Sequence, residues 1–187
     1  MLAVTVKIDE ASIRQAQHIL RAIPRAMPRV FRRAINRTVD SAATDLKRKT
    51  SEQIALKKGE IAKGIGKHKA SISNLTGSIA TTAYRPGVIK FPHSKRAHGI
   101  SYRIDRTAGR KLLEHGFLQT MGTGHQGVFL RKGLGRLPIA EAHGPSIWRV
   151  IVNSPGLLAG AQQRAGARLT KHINDQIGVE LRRWRKK

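Results

Sequence analysis

The chain has 187 residues, of which 36 are Lys or Arg and 11 are Asp or Glu, for a formal net charge of +25 at pH 7. It has no cysteine, which excludes disulfides, zinc knuckles and thiol catalysis, and no apolar run approaches the roughly 18 residues of a membrane span. A charge so far above the roughly 2–8 that suffice for solubility makes an isolated globule repel itself, so the composition points to an anionic partner.

Hydrophobic residues make up 40% of the chain and aromatics only 4%, which predicts a core built from Ala, Ile, Leu and Val. The opening Met1 to Lys7 is too short for a signal peptide, so manufacture and use without a leader is expected. Leu2, Val4, Val6 and Ile8 alternate as one face of a short strand. Asp9 is placed to cap a helix carrying Ile13, Ala16, Ile19, Leu20 and Ile23. Pro24 and Pro28 interrupt, and Pro28 suits the first turn of the next helix. There Phe31, Ala34, Ile35, Val39, Ala42 and Leu46 form an apolar stripe, with Arg29, Arg32, Arg33, Arg37 and Lys47 on the opposite face, and the helix is expected to reach Thr50. A short third helix follows, with Ile61 and Ile65 inward and Lys57, Lys58, Lys63 and Lys67 outward.

Beyond Ala70 the pattern turns to β. Short strands are predicted at Ile72 to Ile79, Gly87 to Phe91, Ile100 to Ile104, Gly116 to Gln119 and Gly127 to Arg131, punctuated by Gly and Pro. Pro92 to Gly99 reads as a basic loop carrying Lys95 and Arg96. Gly144, Pro145 and Ser146 read as a turn. In the last element Ser154 is the expected cap and Pro155 the first helical residue, and Leu158, Ala161, Ala165, Leu169, Ile173, Ile177, Leu181 and Trp184 recur along a helix roughly 45 Å long. The expected fold is α+β, with N-terminal helices and a long C-terminal helix packed on a small antiparallel β-sheet. It is read as a single domain over 1–187, with basic helices over about 9–66, a β-rich centre over about 70–152 and the C-terminal helix over about 155–184.

The residue types that carry chemistry are sparse. Asp40, Asp45, Glu52, Glu60, Asp105, Glu114 and Glu141 form no pair with catalytic or metal-site spacing. His93, His98, His115, His125 and His143 are irregularly spaced and lack an H-E-x-x-H motif. Gly122 to Gly127 matches G-x-G-x-x-G, but Val128, Phe129 and Leu130 follow it as a strand would, where a dinucleotide fingerprint needs a helix, so it reads as a glycine-rich hairpin loop. No catalytic, cofactor or metal residue is assigned, and the chain reads as a non-enzyme without cofactor. A scarcity of aromatics argues against base stacking, which leaves contact with the phosphate backbone independent of sequence, where each neutralised phosphate releases counterion. Arg29, Arg32, Arg33 and Arg37 come first as DNA-facing or partner-facing residues, then Lys95, Arg96, Arg182, Arg183 and Arg185.

Three stretches resemble the minor tail protein Z family, the tail-completion proteins of lambda-like long-tailed phages. The first is Arg33-Ala34-Ile35-Asn36-Arg37 with Ser41-Ala42-Ala43. The second is the order of helix, basic segment and sheet from Thr50 to Ile104. The third runs through Gly116-Phe117-Leu118, Val128-Phe129-Leu130-Arg131, Arg136-Leu137-Pro138-Ile139 and Gly144-Pro145-Ser146-Ile147 to a long basic helix. The resemblance implies a structural virion protein at the head-proximal end of the tail, assembled in the host cytoplasm and making no use of a membrane. It also implies a homo-oligomeric ring, six-fold favoured, around double-stranded DNA, with tail terminator, tail tube or neck proteins as neighbours. The alternatives are a cellular nucleic-acid-packing protein of ribosomal type, or a nuclease whose site is assembled by folding from acids such as Glu114 or Glu141.

Overall fold

The apolar stripe of the second predicted helix is realised as α1 (Met27–Gln53), with Pro28 in its first turn, where a missing N–H costs nothing. The structure, a computed structural model, describes residues 3–6, 10, 13, 14, 18, 26–133 and 135–185. The helix predicted from Asp9 to Ile23 lies almost wholly outside these residues. The remaining elements are β1 (Ala3–Val6), α2 (Lys58–Lys63), β2 (Ile65–His68), β3 (Gly77–Thr81), β4 (His93–Arg96), β5 (Gly99–Tyr102), β6 (Lys111–Glu114), β7 (Phe117–Thr120), β8 (Gln126–Arg131), β9 (Ile139–Glu141), α3 (Ile147–Val152) and α4 (Leu157–Trp184). The class is α+β, as expected, with the strands in three small antiparallel sheets ordered β1-β3-β2, β4-β5-β6 and β7-β8-β9.

The chain folds as two compact units. The first takes residues 1–46, 65–81 and 154–187. Its core comes from Val30, Phe31, Ala34, Ile35, Val39, Ala42 and Leu46 of α1, Ile79 and Ala80 of β3, and Leu157, Ala161, Ala165, Leu169, Ile173 and Ile177 of α4, all buried. β3 starts at Gly77 because a side chain there has no room: a Cβ would lie 2.6 Å from Ile35 Cγ2 and 2.7 Å from Val39 Cγ2. The segment before β3 is tied to α1 by Asn36, whose carboxamide accepts from Ala70 N at 2.7 Å and donates to Ala70 O at 3.1 Å. One side chain thus does what a paired strand would do for an otherwise orphaned peptide group.

The stripe on α4 departs from the predicted one at both ends. Leu157 is buried in place of Leu158, and the helix begins after Gly156, a left-handed residue with φ +70°. Ser154 and Pro155 precede the helix and do not start it. Buried positions then recur every four residues, and each such step overshoots a full turn by about 40°. The last turns recover by steps of three, which brings Gln176 and Glu180 inward and leaves Trp184 55% exposed.

The second unit takes residues 47–64 and 82–153. Val88, Ile100 and Val128 form its buried centre, with Ile89, Tyr102, Leu113 and Ala142 packed around them. The final carbonyls of α1 have no basic residue of their own helix beside them; Arg106 serves instead, its Nε donating to Ser51 O at 2.7 Å and Ile54 O at 3.2 Å, where a cation complements the helix dipole.

Several local expectations are corrected. Gly87 to Phe91 is not a strand; Val88–Lys90 form a 3-10 turn closed by Phe91 N donating to Val88 O at 3.0 Å. The basic segment from Pro92 to Gly99 is not an open loop. It is a hairpin in which His93 to Arg96 pair with Tyr102 to Gly99, its outer strand charged as solvated edges usually are. Ile72 is 57% exposed and outside any strand. Ile65 opens β2 and does not extend the short helix. Gly144-Pro145-Ser146 leads into α3, which periodicity over six residues is too short to reveal; Ser146 is its cap, accepting from Arg149 N at 3.2 Å. Ile147 is fully buried, at the place where a Cβ on Gly64 would fall 2.5 Å from its side chain.

Candidate functional site

In the first unit α1 and α4 run antiparallel along a polar seam, because Arg33 meets Glu180 while Asp45, three turns on, meets Arg168. Arg33 Nη1 donates to Glu180 Oε1 at 2.7 Å, and Arg183 Nη1 donates to the same oxygen at 3.1 Å. Glu180 is only 8% exposed, so it is a buried anchor for two cations. At the other end Arg168 Nη1 lies 2.7 Å and Arg164 Nε 3.7 Å from Asp45 Oδ2.

The middle of the seam is different. Arg32, Arg33, Asn36, Arg37, Asp40 and Gln176 line a cleft of about 390 Å³. Arg32 Nε is buried with no hydrogen-bond partner among the described residues. Gln176 is 7% exposed. Both ring nitrogens of His172 are likewise buried without a hydrogen bond, and burial, aided by the charge of Arg37, holds its pKa below the ordinary imidazole value. Asp40, the one acid on the cleft, is neutralised twice, by Lys67 Nζ at 2.7 Å and Lys69 Nζ at 3.0 Å. These lysines, hydrogen-bonded to the carboxylate, hold its pKa below the usual range.

The residues singled out from the sequence therefore fall into three groups. Arg29 and Arg37 are exposed on α1, while Arg32 and Arg33 are half-buried in the cleft. Arg182, Arg183 and Arg185 are exposed at the end of α4, and Glu180 joins this cluster to the first one. Lys95 and Arg96 stand exposed on β4 of the second unit. Periodicity alone did not bring out Gln176, Glu180 or His172, because an isolated polar residue on an apolar stripe has no meaning until the facing helix is known. Two other basic residues of the sequence turn out to be structural: Arg106 at the end of α1, and Arg110, whose Nε donates to Ser101 Oγ at 3.0 Å and Nη2 to Ser94 Oγ at 3.2 Å across β4 and β5.

The acids are used in pairs within the fold. Glu60 accepts from Lys63 Nζ at 2.7 Å and from the Tyr84 hydroxyl at 2.6 Å; burial and this carboxylate push the phenol up to about 12. Glu52 pairs with Lys49 at 2.8 Å. Glu141 Oε2 lies 2.9 Å from His125 Nε2 and 3.9 Å from His143 Nε2. The described residues hold no group of three or more His, Cys, Asp or Glu placed to bind a metal ion. Gly122 to Gly127 runs through the β7–β8 hairpin loop into the first two residues of β8, with Gly124 at φ +80° and Met121 N donating to His125 O at 2.8 Å.

What these features define is an α+β protein in which several acids are matched by cations of the fold and a large surplus of cations remains. The family model of prophage minor tail protein Z matches residues 7–187, essentially the whole chain, and the chain belongs to that family. It is accordingly a structural component of a phage tail, carried in the virion and assembled with other tail proteins. No curated protein and no solved structure matches it. No helix among the described residues is long and apolar enough to cross a membrane.

The resemblance motif now has a physical content. In Arg33-Ala34-Ile35-Asn36-Arg37, Ala34 and Ile35 are fully buried, Asn36 clamps Ala70, Arg33 binds Glu180, and Arg37 faces solvent beside the cleft. Within Gly144-Pro145-Ser146-Ile147, Gly144 N donates to Pro86 O at 2.8 Å and Ser146 caps α3.

Proposed function

We propose that the protein completes the head-proximal end of the tail and contributes to the head–tail junction, the whole chain acting as one tail-completion module. In this reading it forms a homo-oligomeric ring, six-fold favoured, around the DNA channel, next to tail terminator, tail tube or neck proteins. It acts by assembly and electrostatics, as a non-enzyme. Its basic surfaces, led by Arg29, Arg32, Arg33 and Arg37 and followed by Lys95, Arg96, Arg182, Arg183 and Arg185, face DNA or acidic neighbouring subunits.

The observation that carries this reading is the way charge is divided. Glu180, Asp45, Asp40, Glu60 and Glu52 each hold a cation within 3 Å, yet a formal charge of +25 remains, much of it on exposed residues such as Arg29, Arg37, Lys95 and Arg96. Subunits this basic repel one another, so a ring of them calls for a polyanion at its centre or acidic neighbours at its faces.

The test is the position of the chain in an intact particle imaged by cryo-electron microscopy, together with the titre of phage carrying Arg29→Glu and Arg37→Glu. These two are chosen because both are exposed, whereas reversing Arg33 would also break its pair with Glu180. The double variant is expected to fold and to yield few infectious particles. A normal titre would remove the assignment of this face, and a location away from the head-proximal end would remove the reading.

A further inference from the structure

The centre of the α1–α4 seam is built as if something were to be inserted there. Both ends are closed by ion pairs, Arg33 with Glu180 and Asp45 with Arg168. Between them Arg32 Nε is a buried donor with no partner. Gln176, more than nine-tenths buried, lines the same cleft. Leaving such a donor as Arg32 Nε unpaired costs about 1–3 kcal/mol, so an orphaned donor in a native fold asks for a ligand or an ion. Arg33 and Arg37 supply further guanidinium donors on the same cleft. Asn36 is already committed to Ala70, and Asp40 to Lys67 and Lys69, so neither opposes an incoming anion.

We infer that this cleft is a binding site for a phosphate group, held by Arg32, Arg37 and Gln176, and that in the assembled tail it takes a phosphate of the DNA backbone. This deepens the function proposed above and rests on it for the source of the phosphate. Guanidinium forks match the oxygens of a phosphate, and charge-assisted bonds of this kind are roughly twice as strong as neutral ones. A repeating anion is favoured over a single carboxylate by Arg29, an exposed cation that continues the basic row of α1 beyond the cleft. It stands eight residues before Arg37, about 12 Å along the helix, and duplex DNA carries one charge per roughly 1.7 Å. One carboxylate would satisfy the cleft and leave Arg29 unmatched.

The site makes a demand that a diffuse basic surface does not. Gln176→Leu alters no charge, so long-range attraction is untouched, but the cleft loses a neutral donor. With the full chain, inorganic phosphate is titrated calorimetrically, and a short mixed-sequence duplex by fluorescence anisotropy. Phosphate is expected to bind saturably. Arg32→Gln and Arg37→Gln should each weaken it by about tenfold or more, and Gln176→Leu by about three- to tenfold, in keeping with the loss of one charged or one neutral hydrogen bond. Arg29→Gln, outside the cleft, should change phosphate binding less than about twofold while lowering duplex affinity and its salt slope. Thermal melting of each variant identifies any that fail to fold, and Gln176→Met replaces Gln176→Leu if that variant does.

Unsaturable phosphate binding, or an affinity indifferent to both Gln176 variants, overturns the site. So does saturable binding of a glutamate-rich peptide when phosphate and duplex do not bind, which would assign the cleft to a carboxylate from a neighbouring protein. Saturable phosphate binding without competition by the duplex overturns the DNA source and retains a free-phosphate site. Failure of the site leaves the location of the chain in the particle unaffected, so the two readings fall separately.

Discussion

Arg33 and Arg96 come from clusters of similar basicity in the sequence, and the fold treats them in opposite ways. Arg33 lies on a helix whose partner presents a buried carboxylate at 2.7 Å, and its neighbours Arg32 and Arg37 line a recess. Arg96 ends the edge strand β4 of a three-stranded sheet, at the turn into β5, exposed like Lys95 beside it. The helical seam of the first unit is an organised field in which Arg33, Arg183 and Arg168 each have a definite distance to a definite carboxylate. The hairpin of the second unit is a solvated charge on a short edge. The difference teaches that the density of Lys and Arg along a chain measures attraction to a polyanion, whereas a site requires opposing elements that orient those cations and bury some of their donors.

The sharpest way to break this comparison is Glu180→Gln. If the seam is organised as described, losing the shared carboxylate leaves Arg33 and Arg183 facing each other beside a buried amide. Breaking a fully buried pair costs about 3–5 kcal/mol, and because Arg33 and Arg183 are each more than a third exposed, about 1–3 kcal/mol is expected, read from urea denaturation. Arg183→Ala, removing only the outer partner, should cost less than about 1 kcal/mol. Equal losses in the two variants would make the seam no more specific than the hairpin.

Acid probes the same seam more gently. The pKa of His172 is lowered in the folded state, so below the ordinary imidazole value of 6.5 the unfolded chain binds a proton that the folded chain does not, and stability falls with pH from there down to the folded value. Asp40 is also lowered; its contribution is complete above the ordinary carboxylate value and is lost as pH falls through the folded one. Both slopes have the same sign. Denaturation midpoints should therefore decline in two stages on acidification, and His172→Leu should abolish the upper stage only. An upper stage that persists in His172→Leu assigns it to another group.

The smallest effect is expected in the hairpin. Lys95→Glu with Arg96→Glu should change stability by no more than about 0.5 kcal/mol, as exposed substitutions usually do. Any effect on duplex binding should be erased by raising the salt. A destabilisation as large as that of Glu180→Gln would show that the hairpin charges are organised after all.

How far these features were legible varies by element. The stripe from Phe31 to Leu46 defined α1 nearly to its ends, since a long amphipathic period has few competing readings. Of the strands from Gly99 onward, β5, β7 and β8 were placed within a residue or two by their Gly boundaries, whereas β6 and β9 were not foreseen. The hairpin at His93 to Tyr102 was missed because its first strand is charged, and edge strands need no apolar face. The turn at Val88 to Lys90 was misread because the apolar residues Val88, Ile89 and Phe91 around Lys90 suit a half-buried turn as well as a strand. Ser154 looked like a helix cap, yet the helix waits for Gly156, the residue that adopts positive φ without strain.

Composition and periodicity by themselves determined the charge surplus, the α+β class, the two long helices and the arginine row on α1. These follow from properties that each residue carries wherever the chain goes: ionisation, apolar area and helical spacing. Only the tertiary structure decided which cations are spent inside the fold, that Glu180 joins two distant basic clusters, and that Gln176 lies across from Arg32 and Arg37. Such facts depend on the antiparallel alignment of α1 with α4, a contact between residues some 140 positions apart, and local sequence holds no term for a contact at that separation.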